Sequence, residues 1–98
     1  MGRIIWSRRA ADQLEALVEF IATGSAIEAR RFARKVLQRI TSLENQPELG
    51  GWVIEDETRT YRELLLGNYR IIYRIAPEAI YIVTVRHGAR LLGHEELP

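Results

Sequence analysis

A chain of 98 residues with 47% hydrophobic content is the size of one small domain with a core of its own, and it leaves no room for a second. The absence of cysteine excludes disulfides, thiolate metal sites and thiol catalysis, and sets the expectation of a reducing, cytoplasmic environment. A formal net charge of +1 excludes a large nonspecific attraction of the whole chain to nucleic acid. No apolar run approaches the ~20 residues that span a bilayer, and Met1 to Trp6 is too short to act as a signal peptide, so no membrane partner is expected.

Ile4, Ile5 and Trp6 read as a short first strand, after which the Ser7 hydroxyl is placed to cap a helix starting near Arg8. Ala10, Leu14, Leu17, Val18 and Ile21 recur at helical spacing, with Asp12, Glu15 and Glu19 on the other side. Gly24 is expected to end this helix in the left-handed conformation. Ser25-Ala26-Ile27-Glu28 has the form of a capping box, in which Ser25 accepts from the Glu28 N–H and Glu28 reaches back to the Ser25 N–H. The second helix carries an apolar stripe of Ala29, Phe32, Ala33, Val36, Leu37, Ile40 and Leu43, and Pro47 closes it. Arg30, Arg31, Arg34, Lys35 and Arg39 fill the remaining face, which is either a solvated surface or one answered by the acidic side of the first helix. With only Gly24 between them, the two helices predict an antiparallel hairpin.

Charge and period change after the hairpin. Residues 25–44 carry a net +3, and residues 45–60 a net −3. The latter form a connector with Gly50-Gly51, a short strand from Trp52 to Ile54, and the acidic stretch Glu55-Asp56-Glu57-Thr58. From Tyr61 the period is two: Tyr61 to Leu66, a turn at Gly67-Asn68, Tyr69 to Ala76, a turn around Pro77, then Ile80 to Arg86. In the middle strand Tyr69, Ile71, Tyr73 and Ile75 share one side, and Arg70, Ile72 and Arg74 the other, so one face packs under the helices and the other shows arginine. The fold class expected is α+β: an N-terminal strand and an antiparallel helical hairpin packed on an antiparallel sheet, forming a single domain over residues 1–98.

The chemistry-bearing residues are few. His87 and His94 have no metal-ligand spacing, Ser7 and Ser25 are explained as caps, and no phosphate-cradling glycine motif occurs, so neither a metal nor a cofactor is expected. What remains is the group Arg62, Arg70, Arg74, Arg86 and Arg90, with His87 beside it. A planar guanidinium grips phosphate in a bidentate fork. The same arginines could instead pair across strands with residues such as Glu63, and composition and spacing leave both readings open.

The segments Ser7 to Leu14, Leu43 to Pro47, Arg62-Glu63-Leu64-Leu65-Leu66-Gly67-Asn68-Tyr69-Arg70-Ile71-Ile72-Tyr73-Arg74 and Val85-Arg86-His87-Gly88-Ala89-Arg90 resemble, in order, the ParE/RelE superfamily of toxins from type II toxin–antitoxin modules. The resemblance implies the fold described above and one of two activities. ParE-type toxins inhibit DNA gyrase, with its A subunit the expected target, whereas RelE-type toxins cut messenger RNA on the ribosome by attack of a 2′-hydroxyl on the adjacent phosphate. For RNA cleavage the resemblance places Arg62, Arg70 and Arg90 at basic positions, with His87 as a possible general acid. A second lysine of that pattern falls on Leu64, and its C-terminal tyrosine falls near Glu96, neither of which can serve. The gyrase-inhibiting branch is therefore favoured over the nuclease and over an inactive structural relative. The resemblance also implies a hetero-oligomer with a cognate antitoxin and a role in plasmid stabilisation. Phe20, Trp52, Arg62, Arg70, Arg74, His87 and Arg90 are the expected partner-binding residues, and the segment from His87 onward is the expected target surface.

Overall fold

The computed structural model describes residues 2–88, 92, 93 and 97. Strand β1 (Ile4–Trp6) leads into helix α1 (Arg8–Gly24), helix α2 (Ala26–Thr41) and a single 3₁₀ turn (Ser42–Glu44). Strands β2 (Gly51–Trp52), β3 (Tyr61–Leu66), β4 (Tyr69–Ile75) and β5 (Ile80–His87) follow.

Both helices start where their caps predict, because Ser7 Oγ accepts from Ala10 N and Ser25 Oγ accepts from Glu28 N. The capping box is only half made. The Ser25 N–H donates to the Ile21 carbonyl, closing α1, and the Glu28 carboxylate accepts from Arg31 instead. Gly24 stays helical and is not left-handed; the break comes from Ser25 in extended conformation (φ −162°), which caps both helices at once. The helical part of α2 stops at Thr41, so Leu43 enters the core from the 3₁₀ turn. Leu37, expected on the apolar stripe, is half-exposed. The ion pairs of the hairpin run within helices, Arg8 with Asp12 and Arg31 with Glu28, and none joins α1 to α2 among the described residues.

The sheet order is β1-β5-β4-β3-β2. The meander β3-β4-β5 is antiparallel as expected, but β1 lies parallel to β5, in register Ile4 with Ile80 through Trp6 with Ile82, so the five-stranded sheet is mixed. Gly67 takes the left-handed conformation (φ +58°) that the tight β3–β4 turn needs. Between β4 and β5 the register slips at Ile72/Tyr73: Tyr73 faces Ile82 and Ile72 faces Thr84, leaving Val83 unmatched as a bulge. Beyond Trp6 the edge of β5 is covered by α1. Ser7 Oγ donates to the Val83 carbonyl, and the Gln13 side-chain oxygen accepts from Thr84 Oγ1 and from the Val85 N–H.

The two faces of the sheet carry separate clusters. Helix-side, Ala10, Val36, Ile40 and Leu43 pack on Leu64, Ile71, Tyr73, Ile80, Ile82 and Val85. Tyr73 places a hydroxyl inside this layer, where it donates to the Pro47 carbonyl (2.7 Å) and accepts from the Gly50 N–H (2.8 Å). On the outer face Val53, Tyr61, Ile72 and Val83 form a smaller cluster, against which Leu92 and Leu97 pack. The outer face was expected to show arginine; instead Val53 of the β2–β3 connector, Leu92 and Leu97 pack over it, and Ile72 is fully buried.

Candidate functional site

The register sorts the arginines by face. Arg62 pairs with Tyr73, a core residue, so it projects to the helix side of the sheet, at its β2 edge. Arg70 and Arg74 lie on the other face of β4, and Arg70 pairs directly with Arg86 of β5. The described members of the arginine group, Arg62, Arg70, Arg74 and Arg86, are therefore divided by the sheet itself.

Arg62 has a local task. Its Nη1 donates to the Gly50 carbonyl at 2.8 Å, its guanidinium lies 4.0 Å over the Trp52 ring, and the Glu48 carboxylate is 3.9 Å away. It fastens the short edge strand β2 to β3 by hydrogen bonding and cation–π attraction. Trp52 is left partly open by this stacking. Leu64, where the superfamily pattern has a cation, is buried in the helix-side cluster opposite Ile71. An apolar side chain is required there by packing, since a lysine ammonium in that layer would be desolvated without a partner.

Arg70 is buried on the outer face and ringed by carboxylates. Its Nη1 and Nη2 form a bidentate fork with the two oxygens of Glu55 at 2.9 and 2.8 Å, while Nε donates to Glu63 at 2.7 Å. Nη2 also lies 2.7 Å from the same Glu63 oxygen. The side chains of Arg70, Glu55 and Glu63 are 7%, 14% and 18% exposed, so the cluster is largely shielded from water. Hydrogen bonding to Arg70 holds the Glu55 carboxyl at about 2, against the opposing effect of its burial, with the Leu92 N–H assisting. The Arg70 guanidinium is reciprocally held charged, first by Glu55 and then by Glu63. Gly88 completes the enclosure: a Cβ there would sit 3.1 Å from the Asn68 carbonyl oxygen and 3.2 Å from Arg70 Cγ, so a larger residue would press on the Arg70 stem.

The connector that carries Glu55 is itself built around Asp56, whose carboxylate accepts from the N–H groups of Thr58, Thr60 and Tyr61. These bonds, with that from the Thr58 hydroxyl first, keep the Asp56 carboxyl below its ordinary range. The connector is therefore an ordered loop despite having no hydrophobic period.

Arg74 lies 4.6 Å over the Tyr81 ring. His87 pairs with Tyr69 and meets its ring edge-on at 5.5 Å, and Tyr69 in turn tilts against Phe32 of α2 at 4.9 Å. His87 thus leans on the helix-side Tyr69 at the end of β5, and it also borders, with Arg70, Glu55 and Glu63, a cleft beside the β3–β4 turn. Phe20 is 72% exposed on α1. Arg90, His94 and Glu96 lie outside the described residues. Among the described residues no group of three His, Asp or Glu is placed to hold a metal ion, and no helix is long and apolar enough to cross a membrane.

Sequence reasoning suggested Glu63 as an arginine partner but missed Glu55, whose only signal was membership of an acidic stretch. It also missed an apolar groove lined by Trp6, Ala11, Leu14, Val18 and Leu37, with Glu15 and Glu19 at its rim. That groove opens because Leu37 turns out of the core.

The architecture is a helical hairpin over one face of a mixed five-stranded sheet, and the comparisons place it among toxins of type II toxin–antitoxin modules. Residues 4–92 match the family model described as the ParE toxin of the type II toxin–antitoxin system parDE. A relative from Caulobacter vibrioides, named Toxin RelE2, is 35% identical over 92 residues, covering 93% of this chain and 100% of that protein. A solved structure described as the chromosomal ParDE toxin–antitoxin system from P. aeruginosa superposes with a TM-score of 0.70 at 20% identity, covering 89% of this chain and 96% of that one. The fold is thus shared with that structure, and the chain belongs to the ParE toxin family of type II toxin–antitoxin systems. Membership implies an antitoxin partner.

Proposed function

We propose that this toxin inhibits DNA gyrase by binding it, with the A subunit as the expected contact, and performs no chemistry of its own. The observation that carries this reading is the state of Arg70. A cation that is to stabilise a phosphorane must reach a phosphate with donors to spare, whereas the Arg70 donors are directed to Glu55 and Glu63 behind the connector. Arg62 faces the other side of the sheet and is engaged with Gly50 and Trp52, and His87, which borders the same cleft as Arg70, leans on the Tyr69 ring. Of the basic constellation that RNA cleavage requires, Arg62 is parted from Arg70 by the sheet and Arg70 is taken up by carboxylates, while a protein-binding toxin needs no such convergence.

The cognate antitoxin neutralises the toxin in a hetero-oligomer. The groove of Trp6, Leu14, Val18 and Leu37 has the shape and apolarity to take an amphipathic segment that folds on binding, and the exposed Phe20 and Trp52 offer further anchors. The end of β5 and the chain after His87 are left for the target.

Purified toxin assayed for gyrase supercoiling, beside a translation-coupled assay of messenger RNA cleavage, tests the reading. Loss of supercoiling with intact messenger RNA is expected. Messenger RNA cleavage that is abolished by His87→Ala, with gyrase unaffected, would establish the RelE-like activity instead. Inactivity in both, with no growth arrest on expression, would mark an inactive relative.

A further inference from the structure

The outer face of the sheet poses a question that gyrase binding alone does not answer: why a buried cation and two half-buried carboxylates are placed at a surface where an apolar patch would pack as well. A desolvated ion cluster adds little net stability, but it is exacting about geometry, because an arginine fork and a carboxylate fit in few relative positions. The Glu55 carboxylate is the point at which three stretches of chain meet. It belongs to the β2–β3 connector, it forks onto Arg70 of β4, and its Oε2 accepts the backbone N–H of Leu92 at 3.2 Å. Leu92 and Leu97 then rest on Val53, Tyr61, Ile72 and Val83, and Leu92, Gly93 and Leu97 wall a cleft whose other side is the connector from Glu55 to Tyr61.

We infer that Glu55, oriented by Arg70, is a positioning residue that seats Leu92 on the outer face and thereby shapes the surface offered to the toxin's target. Arg70 acts through Glu55 and touches no ligand. The assignment of that surface rests on the gyrase reading; the seating of Leu92 does not. The bidentate fork leaves Glu55 Oε2 aimed at the Leu92 N–H, so the fork fixes where Leu92 lies, and Leu92 and Leu97 supply the apolar hold. Arg86, beside Arg70 in the register, adds a second buried positive charge along the same line.

Glu55→Gln separates this role from that of a nucleic-acid-binding Arg70, because the two predict opposite signs. If Arg70 serves phosphate and Glu55 merely restrains it, the variant frees the cation and raises RNA binding. If Glu55 seats Leu92, the variant loosens that residue and lowers inhibition of supercoiling. Losing one charge-assisted bond of this kind corresponds to about a ten- to hundredfold rise in hydrogen exchange at Leu92 and Gly93, with α1 and α2 amides unchanged as the internal reference for global stability. A comparable loss of potency against gyrase is expected. Glu44→Gln, the same charge change at an exposed position away from this cleft, is the control and should leave both readouts at wild-type values.

Unchanged exchange at Leu92 in Glu55→Gln overturns the seating role, as does increased binding of a ribo-oligonucleotide. Faster exchange with wild-type inhibition of supercoiling overturns the link between that seat and the target surface while leaving gyrase inhibition intact. A wild-type protein that never affects supercoiling overturns the proposed function instead, and the exchange measurement alone then decides for or against the seat.

Discussion

The two faces of one sheet are closed by different physics. On the helix side, Val36, Ile40 and Leu43 cover Ile71, Tyr73 and Ile82, and the layer is apolar except for a tyrosine hydroxyl with two partners. On the outer side a small apolar cluster sits next to a largely shielded Arg70–Glu55–Glu63 group, covered by the connector and by Leu92 and Leu97. Hydrophobic packing is tolerant of exchange and insensitive to pH, while an ion cluster is sensitive to both. The helix side therefore sets that the chain folds, and the outer side sets what surface it shows.

Substitutions can break this contrast. The largest effect is expected for Arg70→Ala, which strands two shielded carboxylates and should cost about 3–5 kcal/mol in denaturant unfolding. A loss within about 0.5 kcal/mol, as for an ordinary surface residue, would mean that Arg70 is not the hub of the outer face. Leu43→Ala, which empties a fully buried position under the helices, should cost about 2–5 kcal/mol and leave Leu92 exchange relative to the rest unchanged. Tyr73→Phe is smaller, about 1–3 kcal/mol, because the Gly50 N–H and the Pro47 carbonyl lose their common partner while the ring stays packed.

The smallest effect sharpens the comparison through pH. The Glu55 carboxyl is lowered from 4.5 to about 2 in the folded protein, so its contribution is fully present above about pH 4.5 and is lost as the pH falls toward 2. Asp56, also lowered, adds in the same direction. Stability followed by circular dichroism should decline across that window, and Glu55→Gln should make the decline shallower without abolishing it. An identical profile in the variant would remove Glu55 from the acid response.

How far the sequence foretold each face follows from the same contrast. Helix caps and apolar periods are local signals, so Ser7, Ser25, the two helices and the β3-β4-β5 meander were legible, as was the burial of Ala10, Val36 and Ile40. The parallel pairing of β1 with β5 was not, because it joins residues 76 apart with no turn between them to dictate direction. The bulge at Val83 and the outward turn of Leu37 depend on how α1 and α2 settle on the sheet, which periodicity does not encode. The arginine group was visible as charge, but its division was not: β3 alternation puts Arg62 opposite Tyr61, and only the register with β4 shows that this is the face away from Arg70. Glu55 was hidden most completely, since it reaches Arg70 from a connector with no regular period, 15 residues away in sequence.

The central claim is that Arg70 is committed to carboxylates and not to a nucleic acid. NMR of its Nε–H during titration with a ribo-oligonucleotide tests that most directly. A slowly exchanging Nε–H, bonded to Glu63, is expected, with a resonance that stays fixed while exposed cations such as Arg34 respond. A rapidly exchanging Arg70 signal that shifts with added RNA would contradict it.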